Sequence, residues 1–235
     1  MKWENKDEII NMLEEQWYYL MNPDNVEEFI KCWTDAFKWY ELYDYFFWDG
    51  DYEEKLSLFI KSILKSNKDT IIYADSENIN WIVQWAPPWF TWGSSLQFML
   101  AWAWKWLLKK WFYGALKRWT YVEKVSYNIK KALTSHDDIY LYNLGVKKNQ
   151  QWKWIAKKLV KPMFDYLKQH WKKCYLETYS PKNVEIYNRI WMELLNTLEV
   201  PWTSLTHYAF IYNNHKEKKW EKLVISRWRL DTLPM

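Results

Sequence analysis

Ile139-Tyr140-Leu141-Tyr142-Asn143-Leu144-Gly145-Val146-Lys147-Lys148-Asn149-Gln150-Gln151-Trp152-Lys153-Trp154-Ile155-Ala156 is the stretch on which the architecture turns. Its first eight residues are apolar at odd and even positions alike, the pattern of a central strand covered on both faces. A short polar loop follows. A helix then runs from about Trp154 to His170 and buries Ile155, Leu159, Val160, Met163, Phe164 and Leu167 at helical spacing. Pro162 inside it predicts a kink or a local opening, because proline has no N–H to give the preceding turn. Lys173 to Thr178 reads as the next strand. Strand, loop, helix and strand form a βαβ unit with parallel strands and a right-handed crossover.

Working outward, Asp24 is placed to cap a helix over about 25–38, whose Val26, Phe29, Ile30, Trp33 and Phe37 share one face. Glu53 to Lys65 reads as a second helix. Thr70–Ala74 and Ile79–Ala86 read as strands joined by the turn Asp75-Ser76-Glu77-Asn78, and Pro87-Pro88 ends the second. Residues 94–134 read as a long helical insertion. Its apolar part, Leu96 to Leu108, is interrupted by Lys105 and followed by Lys109 and Lys110, too short and too charged to span a bilayer. Downstream, Pro181–Ile190 reads as a short helix, and Glu193–Val200 and Leu205–Tyr212 as strands. The basic tail, 213–235, is weakly patterned. The expectation is one domain over 1–235, an α/β (α+β) fold with helices on both faces of a mixed central sheet.

The chain has 235 residues, 49% hydrophobic and 26% charged, enough for one sizeable core. A net charge of +4 gives no reason to expect nucleic acid as a partner. Cys32 and Cys174 lie far apart with no metal-ligand spacing, so no metal and a reducing, cytoplasmic setting are expected. The charged Met1-Lys2-Trp3-Glu4 opening has no apolar signal run. One ratio is abnormal: 21 Trp stand against 4 Gly. Ordinary usage would give roughly 16 glycines in this length.

The loop between the apolar strand and the helix carries the chemistry. Free N–H groups and the helix dipole make such a junction an anion site. A diphosphate can use it only where bulky side chains do not hold it off the main chain. Gln151-Trp152-Lys153-Trp154-Ile155-Ala156 resembles the Gln/Arg-x-x-Gly-x-Gly/Ala loop of the GNAT acetyltransferases, with Trp at the glycine positions. The resemblance continues through His170-Trp171, Leu176-Glu177-Thr178, Pro181-Lys182-Asn183-Val184, Tyr187 and Asn188-Arg189-Ile190-Trp191-Met192. Ala36-Phe37 and Gln84-Trp85-Ala86-Pro87-Pro88-Trp89 are similar to the first-half segments of one subgroup. Lys147-Lys148 departs from the Asp-Pro pair common in the family at that point.

The resemblance implies a GNAT-like three-layer α-β-α sandwich that moves an acetyl group from acetyl-CoA to a primary amine. It implies that the backbone of Leu144, Gly145 and Val146 meets the pantetheine arm, and that Gln151, Trp152, Lys153, Trp154, Ile155 and Ala156 hold the diphosphate. Asn183 would contact the cofactor, and Tyr187 would protonate the departing thiolate, with Lys157 and Lys158 as further phosphate partners. Glu177 is the first candidate for the proton acceptor, ahead of His136 and His207. The oligomeric state is left open by the sequence.

Tryptophan at one family glycine after another is not a pattern of side-chain substitution. It is the pattern of UGA codons meant as glycine and read as tryptophan. On that reading Trp39, Trp48, Trp81, Trp89, Trp92, Trp152, Trp154, Trp171, Trp191 and Trp202 are glycines, while Trp85 matches a family tryptophan. Two rivals stand beside this account. A tryptophan-rich membrane-surface protein would cluster its indoles on one exposed face. A catalytically inactive CoA-binding relative would bind without turnover.

Overall fold

Alternation along the strands sorts the side chains into two cores, one on each face of a single sheet. The computed structural model describes residues 3, 5–47, 51–66, 69–87, 90, 110–135, 137–151 and 155–213. In chain order the elements are α1 (Lys6–Glu15), β1 (Tyr19–Leu20), α2 (Val26–Phe37), α3 (Glu41–Phe47), α4 (Tyr52–Ser66), β2 (Ile71–Ala74) and β3 (Trp81–Ala86). Next come α5 (Lys110–Leu133), β4 (Ile139–Val146), a 3-10 turn (Lys148–Gln150), α6 (Ile155–Gln169), β5 (Cys174–Thr178), α7 (Pro181–Arg189), β6 (Glu193–Glu199) and β7 (Thr206–Tyr212). The sheet order is β1-β2-β3-β4-β5-β7-β6, which puts β4 in the middle. All pairs are antiparallel except β4 with β5.

On one face Ile72, Ala74, Ile82, Ala86, Tyr140 and Tyr142 meet α2, α3, α4 and α5. On the other, Ile71, Tyr73, Val83, Trp85, Ile139 and Leu141 meet α1 and α6. This is the expected α-β-α sandwich. Several local expectations change. The cap position of α2 is Asn25, not Asp24: Asn22 Oδ1 accepts from the Asp24 and Asn25 amides and organises the turn. Helices α1 and α3 were not legible, and of the 94–134 insertion only 110–133 is described as helix. Residues 94–109 and the tail beyond Asn213 lie outside the described residues. No described helix is long and apolar enough to cross a membrane.

Pro162 sits inside α6. The carbonyl it cannot serve, that of Lys158, accepts a hydrogen bond from Tyr18 Oη at 3.1 Å, and the neighbouring Leu159 carbonyl accepts one from Tyr73 at 2.7 Å. Side chains from outside the helix thus meet carbonyls around the break that proline makes.

In β4 the register against β3 shifts, with Gln84 opposite Asn143 and Trp85 opposite Leu141, so Tyr142 is an extra residue. Such a bulge turns side chains to a new face. Past it, Gly145 faces α2 so closely that a Cβ would stand 3.0 Å from both Ala36 Cβ and Phe37 Cε2. Replacing Gly145 by valine is therefore expected to cost about 1–3 kcal/mol through overpacking, read as a lower urea midpoint. An unchanged midpoint would mean that α2 is free to move away.

Candidate active site

Beside the bulge, the two parallel strands come apart. β4 and β5 pair only at Ile139 with Cys174 and Tyr140 with Tyr175, although β4 runs on to Val146 and β5 to Thr178. Their outer edges stay bonded to β3 and β7. The inner edges form a fork in the middle of the sheet, past the last β4–β5 pair among the described residues. A cavity of about 40 Å³ lies at this fork. Its walls combine Tyr142, Asn143 and Leu144 of β4, Leu176 and Glu177 of β5, Asn183 and Tyr187 of α7, and aromatic rings from the α2–α3 corner.

Glu177 is the only formally charged residue lining this cavity among the described residues. Its Oε1 accepts from Ser126 Oγ and from Tyr140 Oη at 2.9 Å. Oε2 accepts from Tyr175 Oη at 2.9 Å and from His207 Nε2 at 3.0 Å. Burial alone would push the carboxyl up. The hydrogen bond and charge of His207, the Ser126 hydroxyl and the charge of Lys130 outweigh it and bring it down to about 2. A carboxylate so held is a poor proton acceptor at neutral pH. The geometry suits a fixed negative charge better than the general base expected of it.

Lys130, buried beside this group, donates to the Phe90 carbonyl and lies 4.7 Å over the Tyr140 ring. Burial lowers its pKa and the Glu177 charge partly restores it. Across the cavity Tyr40 Oη receives the Tyr179 amide at 2.8 Å and shares a hydrogen bond with Thr178 Oγ1 at 3.0 Å. Asn183 Nδ2 donates to the same Thr178 oxygen at 3.1 Å, which ties α7 to the end of β5. Tyr187, one turn on, is buried with its ring edge-on to Phe210, and burial next to Tyr40 raises its phenol above the ordinary value.

The structure thus brings together Leu144, Glu177, Asn183 and Tyr187. Gly145 packs on α2 instead, and Val146 receives the side-chain amide of Gln151 at 3.2 Å. Asp35 accepts the Lys148 amide at 2.9 Å and so steadies the loop where the family's Asp-Pro is missing. Trp152, Lys153 and Trp154 lie outside the described residues, as does His136. Ile155 and Ala156 open α6, and the Lys157 ammonium stands 4.1 Å over the Trp191 ring. Sequence reading missed Tyr40, Tyr43, Tyr140, Tyr175, Tyr179, Ser126 and Lys130. They come from the α2–α3 link, α3, α5, β4, β5 and the residue after β5, and no spacing in the chain announces that they meet.

No family model matches the sequence, and no curated protein matches it. Solved structures do match. A protein described as histone acetyltransferase HPA2 and related acetyltransferase, from Corynebacterium glutamicum, is similar over 83% of this chain and 96% of its own, at 12% identity and TM-score 0.52. Arylalkylamine N-acetyltransferase 2 from Aedes aegypti matches over 84% and 98%, at 10% identity and TM-score 0.54. The C-terminal condensation domain of Ebony, solved with β-alanyl-dopamine, matches over 83% and 97%, at 10% identity and TM-score 0.55. The chain has the fold of the GNAT acetyltransferases.

Proposed function

We propose that this protein transfers an acetyl group from acetyl-CoA to a primary amine. The observation that carries the proposal is the fork between β4 and β5, with Asn183 and Tyr187 at its wall and the start of α6 following β4. A ligand bearing amide groups along an extended arm fits between the parted strands, and the amides at the start of α6 offer a place for its phosphates. Acetyl-CoA would supply an acetyl group already activated as a thioester.

The remaining work belongs to the chain. Leu144 and its neighbours in β4 orient the donor arm and offer N–H groups toward the reacting carbonyl. Glu177 lends its charge to draw an ammonium group in, and the tyrosine faces around it favour the same cation. The ammonium gives one proton to solvent through the cavity mouth and becomes a free amine. Its nitrogen bonds to the acetyl carbon and releases a second proton to solvent, the carbon–sulfur bond breaks, and Tyr187 gives its phenolic proton to the sulfur. Solvent then reprotonates Tyr187.

The test, made on the chain carrying W152G and W154G, is thiol release from acetyl-CoA across a panel of arylalkyl, alkyl and polycationic amines, with CoA affinity measured alongside. Turnover with at least one amine is expected, and one formal charge in the cavity favours monoamines over polyamines. Micromolar CoA binding with no turnover on any amine would turn the reading into that of an inactive relative. No CoA binding at all would remove it.

A further inference from the structure

We infer that Trp17, Trp39, Trp171, Trp191 and Trp202 are glycine in the protein that its own cell makes, each a UGA codon read there as glycine. The five take φ values of 64°, 67°, 56°, 68° and 56°. Left-handed backbone brings Cβ against the following carbonyl, so glycine is its usual occupant and a bulky residue there is an outlier. Only Asp51 and Ile79 join these five tryptophans among described non-glycine residues with positive φ.

Each sits in a slot whose hydrogen bonds define a glycine position. After α1, the Tyr18 amide donates to Leu13 O at 3.0 Å and the Trp17 amide to Glu14 O at 3.0 Å. After α6, Lys172 N donates to Leu167 O at 2.9 Å, and after α7, Met192 N donates to Tyr187 O at 3.0 Å. These six-to-one bonds are the Schellman closure, with Trp17, Trp171 and Trp191 at its left-handed C′ residue. The other two are type II turns. Tyr40 N donates to Phe37 O at 3.1 Å across Lys38 (φ −60°, ψ 123°) and Trp39. Thr203 N donates to Val200 O at 3.2 Å across Pro201 and Trp202. Proline second and glycine third is the residue order that turn prefers.

Burial separates the two kinds of tryptophan. The five are 90%, 62%, 77%, 51% and 71% exposed. Trp33 and Trp85 are 1% and 0% exposed, sit in regular helix and strand, and fill the two cores. The Trp85 indole donates to Tyr73 Oη at 3.2 Å. A membrane-seeking surface would gather its indoles on one face, whereas these five each close a separate turn. The backbone also revises the sequence reading. It adds Trp17, and it gives no reason to include Trp81, which lies in β3, where any residue fits. Trp48, Trp89, Trp92, Trp152 and Trp154 lie outside the described residues.

The coding gene and the chain itself both test this. UGA at the five codons with UGG at those of Trp33 and Trp85 is expected, and the native protein's peptides should carry the glycine mass at all five. UGG at the five codons would overturn the assignment. Made in a host that reads UGA as tryptophan, the chain carrying W17G, W39G, W171G, W191G and W202G together should melt roughly 10–20 °C higher than the tryptophan form, from about fivefold in the folding equilibrium at each independent site. W85G should melt lower. A five-glycine chain that melts no higher than its parent would remove the strain on which the inference rests. Neither measurement depends on the acetyltransferase reading.

Discussion

Replacing Tyr187 by phenylalanine is expected to lower kcat about 100-fold, with KM changed by less than about threefold, if the phenol delivers the proton to the departing sulfur. Among the described residues no hydrogen bond to its hydroxyl is present, and the ring contact with Phe210 survives the change. Folding should therefore be untouched, with the melting temperature within a degree or two of the parent. Burial keeps the phenol protonated across the working range, so the parent's kcat should show no loss of activity from this group up to its ordinary pKa and beyond. A kcat within threefold of the parent would make Tyr187 a packing residue and leave protonation of the thiolate to water. Steady-state kinetics with the best amine of the panel decides between the two.

Replacing Glu177 by glutamine should be the most damaging single change to stability among the described polar residues. Four donors converge on its two oxygens. An amide offers them one acceptor and opposes them with a donor, so the loss is expected to be about 3–5 kcal/mol. The same carboxylate sets an acid limit. Its pKa is lowered on folding, from 4.5 to about 2. A depressed carboxyl stabilises above the unfolded value and loses that contribution as pH falls through the folded one. About 3 kcal/mol should thus be fully present above pH 5 and disappear between about pH 4.5 and 2. Urea unfolding at a series of pH values from 2 to 7 measures this, and the glutamine variant should lack that part of the acid slope. Equal slopes in both proteins would mean that Glu177 is not held ionised.

The stretch from Ile139 to Ala156 told much of what it does in the fold because its signals are local. An apolar run of eight residues and a following helical stripe need no distant partner to be recognised, and β4 and α6 lie within a residue of their expected bounds. Asn183 and Tyr187 were singled out by the resemblance of Pro181-Lys182-Asn183-Val184 and Tyr187 to the family's second half, and the short helix that carries both was legible from its own pattern. The environment of Glu177 was not. Ser126, Tyr140 and His207 lie 51, 37 and 30 residues from it along the chain. Only the pairing of β5 with β4 and β7, and the packing of α5 on the sheet, brings their side chains to the carboxylate. The expectation of a base came from the residue type and its place on the strand after the loop helix, and its hydrogen-bond environment came from those neighbours.

The tryptophans divide along the same line. Composition and the family pattern announced an excess of tryptophan and a lack of glycine, since both can be counted. Which indoles stand on left-handed backbone depended on where each helix stops and each turn closes, and hydrogen bonds between residues such as Leu13 and Tyr18 settle that. The sequence by itself determined the alternation of strand and helix and the two-faced central strand, because periodicity and capping act over a few residues. The tertiary structure alone decided that β4 and β5 part after Tyr140, that four donors from distant segments meet on the Glu177 carboxylate and that Trp17 joins the strained set. Each of these depends on contacts between groups far apart in the chain, and a local pattern carries no record of them.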